Sequence, residues 1–144
     1  MVNTILVAHA LVAIHVCLAG IQDWKKREVD NYLTWPLFLG GILTAIARIL
    51  NLDLLPLIVI VFILVAWYSN WLGGADARIV IGLWGLWSAA GFLGLVSTGL
   101  WGFILILNKQ KNEHIPALVA VTLGTAIMLA IEVLTSIFKI ITYA

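Results

Sequence analysis

The chain has 144 residues, of which 63% are hydrophobic and only 10% are charged. A soluble domain carries about 25% charged residues, so this composition belongs to the membrane class. A formal net charge of +1 offers no basic footprint for nucleic acid, and a lone cysteine, Cys17, excludes both an internal disulfide and a cysteine-cluster zinc site.

A helix needs roughly 20 apolar residues to cross the hydrocarbon core. The first such stretch runs from about Asn3 to Gln22. No Lys or Arg precedes it, so it reads as a retained helix and not as a cleaved signal peptide. It ends at the polar segment Asp23-Trp-Lys-Lys-Arg-Glu-Val-Asp-Asn31. A second stretch covers about Leu33 to Leu50 and is followed by the turn Asn51-Leu52-Asp53. The third, about Leu54 to Leu72, has Pro56 in its first turn, where the missing N–H does little harm. Next come Gly73, Gly74, Ala75 and Asp76.

The stretch from Ala77 to Leu107 is long for one span and short for two. Gly91, Gly94 and Gly99 would permit a tight reversal near its middle, because glycine tolerates positive φ. Two short helices are therefore expected. The polar run Asn108 to His114 follows, and a last span covers about Ile115 to Phe138. The expected fold is all-α: residues 1–144 as one membrane-embedded domain, a polytopic bundle of about six transmembrane helices.

Charge placement supports six. With the first loop in the cytoplasm, Lys25, Lys26, Arg27, Arg78, Lys109 and Lys111 all fall inside, and only Arg48 and Lys139 fall outside. Both termini are then outside the cell membrane. Trp24, Trp35, Trp67, Tyr68 and Trp71 gather at the proposed inner boundary as an aromatic belt.

This scheme puts Asp23 at the close of the first helix and Asp76 at the opening of the fourth, both where hydrocarbon meets cytosol. Two carboxylates sharing one site cannot both ionise cheaply, so one keeps a proton while its partner stays charged. The charged one can take a proton from water, which attacks a peptide carbonyl polarised by the protonated one. Gly73 and Gly74 leave room for an extended substrate. By itself an Asp at a helix start is more often a cap. Elsewhere, His9 and His15 are expected to make interhelical hydrogen bonds, and Glu132 to be paired or to snorkel. Glu28 and Asp30 are candidates to meet a basic substrate segment.

The residues around the two aspartates resemble those of the type IV prepilin peptidases. In that family an Asp ends the first helix, a basic stretch follows, and an Ile-Pro-Asn-x-Leu-Thr-like element comes next. Here Val29, Asn31, Leu33 and Thr34 stand at the matching offsets, with Asp30 in place of the proline. Gly73-Gly74-Ala75-Asp76-Ala-Arg78 is similar to the second segment, Gly-x-Gly-Asp-x-Lys, with Ala75 for the second glycine and Arg78 keeping the charge. Ile115-Pro116 through Gly124 resembles the segment opening the family's last helix, with Val119 at its second proline. Pro116-Ala117-Leu118 also resembles the Pro-Ala-Leu element of presenilin-like proteases, which match the rest of the chain less well.

The resemblance implies a cytoplasmic-membrane aspartyl endopeptidase in pilus assembly or protein secretion. Asp23 and Asp76 would be the catalytic pair, at the cytoplasmic face. Gly73, Gly74, Ala75, Asn31 and Pro116 would shape the active-site loops. No metal or other cofactor is implied. The substrate would be a pilin, archaellin or pseudopilin precursor with a short basic leader ahead of a hydrophobic helix. The methyltransferase domain of many bacterial members has no counterpart here, so peptidase activity alone is expected. The competing reading is a non-enzymatic polytopic membrane protein, a transporter or assembly subunit, or an inactive relative of the peptidases.

Overall fold

The computed structural model describes residues 4–69, 72–107 and 117–143. These residues form six helices, and no strand occurs among them. In chain order they are α1 (Thr4–Lys26), α2 (Asn31–Leu50), α3 (Leu55–Tyr68), α4 (Gly74–Leu86), α5 (Ser88–Leu107) and α6 (Ala117–Tyr143). Three of them, α1, α2 and the Ala117–Lys139 part of α6, are long and apolar enough to cross a membrane. The apolar helices α3 and α5 are shorter by that measure, and α4 has 13 residues.

Local chemistry explains several boundaries. α1 ends where Arg27 turns into the left-handed region at φ 58°, its N–H donating to the Asp23 carbonyl at 2.9 Å. Asp30 stands in extended conformation at the start of α2. Pro56 occupies the first turn of α3 as expected. Pro36, unremarked by the sequence reading, lies inside α2, where its ring removes one backbone hydrogen bond.

Pairwise contacts fix the directions of the helices. His9 meets Glu132, Val16 meets Thr122, and Gly20 lies against Leu118 and Thr122, so α1 and α6 are antiparallel. Trp87 reaches Glu132, while Gly94 and Leu93 lie against Val121 and Gly124, so α5 also runs antiparallel to α6. On the other side, Asn31 and Thr34 meet Arg78, and Gly41 meets Gly82 and Gly85, so α2 and α4 run parallel.

Within the 77–107 stretch the sequence reading anticipated two helices correctly but misplaced their junction. The chain reverses at Trp87 (φ −155°, ψ 79°), and no glycine among the described residues has positive φ. Gly91 and Gly94 serve close packing instead, against the Trp84 backbone and Val121.

The core is a seam of small and branched side chains, including Val16, Ala19, Ile63, Ile79, Leu83, Leu118 and Val121. Outward faces are apolar as well: Leu11, Leu43, Ile58, Phe62, Leu134 and Phe138 are all exposed. Such an outer surface is compatible with lipid contact, as are the three long apolar helices. Trp24, Trp35, Trp67 and Tyr68 are exposed at the same end of the bundle as Lys25, Lys26 and Arg27. Trp71, Lys109 and Lys111 lie outside the described residues.

Candidate active site

Asp23 and Asp76 are brought to that end by different routes. Asp23 lies in the last turn of α1, half-buried, with the backbone N–H of Leu118 at the start of α6 reaching its carboxylate. Its Oδ2 is buried and has no hydrogen-bond partner among the described residues. Asp76 lies in the first turn of α4, ahead of the apolar stretch that begins at Ala77 and outside the three long apolar helices. The two charges are close enough to act on each other. Their helices do not pack side by side, however: α1 and α4 both lean on α2 and α6.

The Asp76 carboxyl is pushed up to about 6. Burial is the main cause, the neighbouring Asp23 charge adds to it, and a hydrogen bond from the Gly73 backbone partly offsets both. A carboxyl held protonated into the weakly acidic range beside a second carboxylate is the arrangement in which one group donates while the other accepts.

The glycine segment is fitted to Asp76. A Cβ built on Gly73 would stand 2.9 Å from Asp76 Oδ2, too close for any real Cβ. At Gly74 the nearest atom, Trp67 Nε1, would be 3.5 Å away, an ordinary contact. Ala75 is half-buried in the same first turn. Asn31 opens α2 beside α4, its Oδ1 accepting from Arg78 Nη1 at 2.7 Å. Asp30, suggested as a contact for a basic segment, has its carboxylate engaged by the Gln22 amide, while Glu28 is exposed. Pro116, with His114 and Ile115, lies outside the described residues.

An apolar groove of about 330 Å³ runs beside Asp23, lined by Cys17, Gly20, Ile21, Trp24, Val119 and Thr122. Another, of about 300 Å³, lies on the neighbouring face of α1, with Ile21 between the two and Leu18, Gln22, Lys26 and Tyr32 around it. Neither is lined by the carboxylates themselves. Among the described residues no three His, Cys, Asp or Glu side chains come together as a metal site.

Sequence reasoning missed two constellations. Arg78 links the segment of Asp76 to that of Asn31, and nothing in the spacing of the letters signals it. At the far end of the bundle, His9 Nδ1 donates to Glu132 Oε2 at 2.7 Å and Trp87 Nε1 to Glu132 Oε1 at 2.9 Å. The His9 and Trp87 rings stack with centroids 4.3 Å apart. The expected interhelical roles of His9 and His15 are seen, the latter donating to the Leu33 carbonyl at 2.6 Å, but the Trp87 contribution is new. No family model matches the chain, and neither a search of curated proteins nor one of solved structures returns a match.

Proposed function

We propose that the protein is a membrane aspartyl endopeptidase that removes the basic leader from prepilin-like precursors at the cytoplasmic face. The observation that carries this reading is the approach of Asp76 to Asp23, with a carboxyl raised to about 6. In it, the ionised member of the pair draws a proton from water, the resulting nucleophile attacks the scissile carbonyl, and the protonated member donates to the carbonyl oxygen. In this reading the six helices form one membrane-embedded bundle, with Asp76 at the cytoplasmic edge of α4 and both termini outside. The gathering of Lys25, Lys26, Arg27 and Arg78 around the site supports that orientation. A precursor whose cleavage point sits between a charged leader and an apolar helix suits a site at the same boundary.

Co-expression with a prepilin tests the proposal. The leader is removed by the unaltered protein and retained with Asp23→Asn or Asp76→Asn. Full processing by either variant rejects the pair, and a retained leader beside the unaltered protein leaves the non-enzymatic reading standing. The proton inventory gives a second signature. The one-proton state of the pair is lost as pH rises through about 6, so kcat/KM falls on the alkaline side, and it falls again in acid when the second carboxylate is protonated. Because folding raises the Asp76 value, its ionisation at neutral pH costs stability that is fully retained only below the ordinary carboxylate range. Asp76→Asn therefore melts higher than the unaltered protein at neutral pH while failing to cleave.

A further inference from the structure

The two aspartates sit on helices that do not pack against each other, so something else must set their separation. Gln22, the residue before Asp23, clasps Asp30 twice: its amide nitrogen donates to the Asp30 carboxylate, and its Oε1 accepts the Asp30 backbone N–H at 3.0 Å. Asn31, the residue after Asp30, accepts from Arg78 Nη1 at 2.7 Å. The same nitrogen donates to Thr34 Oγ1 at 3.3 Å, and the guanidinium carbon stands 5.2 Å from the centre of the Trp35 ring. Arg78 is two residues beyond Asp76. A continuous path of hydrogen bonds and single peptide steps thus runs from one aspartate to the other around the back of the site.

Residues two apart on a helix point about 200° from each other. With Arg78 anchored on α2, Asp76 is directed away from α2 and toward Asp23. We infer that Gln22, Asp30, Asn31 and Arg78 form a tether behind the two aspartates, in which Arg78 is the positioning residue that sets the rotation of α4 and hence the distance between the carboxylates. Glycine packing further along, at Gly41, Gly82 and Gly85, fixes how close α2 and α4 come. A glycine seam has no side chains to resist rolling, and Arg78, bonded to Asn31 and Thr34 and lying against Trp35, supplies that resistance at the site end. Lysine would keep the charge but not the planar guanidinium that lies against the Trp35 ring while its Nη1 reaches Asn31 and Thr34.

The inference rests on the peptidase reading for its catalytic meaning, but its geometry can be tested without a substrate. Infrared difference titration follows the Asp76 carboxyl in the detergent-solubilised full chain, the band being assigned by its loss in Asp76→Asn. The charge acting on Asp76 is Asp23 from α1, itself beside Arg27, while Arg78 on the same helix points toward α2. Arg78→Lys and Asn31→Ala leave all of these in place. Releasing the tether moves the carboxylates apart and weakens their repulsion, so in both variants Asp76 loses its proton at lower pH than in the unaltered chain. The double variant shifts no further than Arg78→Lys alone, since both remove one link. With a prepilin substrate, kcat falls about tenfold to a hundredfold, the range expected for misplaced catalytic groups, and KM stays within about twofold. An unchanged titration midpoint in both single variants overturns the tether. If both variants shift the midpoint as described but the unaltered chain cleaves no prepilin, the peptidase reading fails and the tether stands. If Arg78→Lys does not fold, Asn31→Ala decides alone.

Discussion

The helix carrying Asp76 and the helix carrying Asp23 are held by different physics. α4 lies on α2 through Gly41, Gly82 and Gly85, close enough for backbone to meet backbone: a Cβ added at Gly82 would stand 2.6 Å from the Leu37 carbonyl oxygen. α1 is laced to α6 by polar groups, with His9 bonded to Glu132 and Thr122 Oγ1 donating to the Val16 carbonyl at 3.2 Å. In lipid, apolar side chains gain little by leaving the tails for each other, so close backbone approach and interhelical hydrogen bonds are the two available sources of cohesion. Close backbone approach predominates beside Asp76, where Arg78 adds polar bonds at one end, and polar bonds run the length of the Asp23 helix, where Gly20 adds a close contact with α6. Steric change should therefore act on the Asp76 half of the site, and change of polarity or protonation on the Asp23 half.

The sharpest way to break that division is steric. Gly85→Leu drives a side chain into the Gly41 backbone, which has no rotamer with which to yield. Overpacking commonly costs about 1–3 kcal/mol, and more where only backbone can move. The expected outcome is loss of folded protein in detergent, read from yield and monodispersity, with loss of cleavage. Gly40→Ala is the control, because its nearest neighbour is the flexible tip of Leu86 at 3.5 Å. A Gly85→Leu chain that melts like the unaltered one would mean that α2 and α4 do not meet in this way.

Much of this architecture is legible in the letters, and the division between what is and is not has a physical basis. Burial of apolar runs depends on local composition, so the helices containing Asp23 and Asp76 could be placed from Gln22 and from the glycines at 73 and 74. Partners across helices depend on rotation and height, which no single segment encodes. His9 and His15 were readable as interhelical donors, but not that Glu132 and the Leu33 carbonyl would accept from them. The turn at Trp87 was misread for a related reason. Glycine is the usual marker of reversal, yet here Gly91 and Gly94 are spent on close packing, and the break falls on a tryptophan whose Nε1 is bonded to α6. In the sequence Arg78 reads only as a retained charge, although its Nη1 joins the two segments that carry the resemblance.

A polar perturbation sharpens the other half of the comparison. Glu132→Leu leaves the His9 and Trp87 N–H groups facing an apolar surface without an acceptor. Leaving buried donors unsatisfied costs about 1–3 kcal/mol, and membrane measurements of single interhelical bonds tend to the lower part of that range. The melting temperature should drop, with Glu132→Gln falling between the two because an amide oxygen still accepts one of the bonds. Cleavage should survive at temperatures below melting, since His9 is about 21 Å along α1 from Asp23. A loss of turnover in a fully folded Glu132→Gln protein would show that the far end of α1 governs the site.

The smallest effect is expected where polarity is exposed and joins no two distant helices. Arg48 grips Asp53 Oδ2 through Nε at 2.9 Å and Nη2 at 2.7 Å, and the Leu55 N–H donates to Oδ1 at 3.2 Å, closing the turn between α2 and α3. The Arg48 hydrogen bond is the main reason that the Asp53 carboxyl lies below the usual carboxylate range, and the Leu55 N–H adds to the effect. A lowered value in the folded chain means stability that is present above the ordinary carboxylate pKa and lost as pH falls through the depressed one. Asp53→Asn should thus lower the melting temperature only slightly at neutral pH, and its difference from the unaltered chain should vanish both in strong acid and at high salt, where exposed pairs are screened. Cleavage should not change. A drop matching that of Glu132→Leu would mean that the α2–α3 turn holds the bundle together as firmly as the polar contacts between helices.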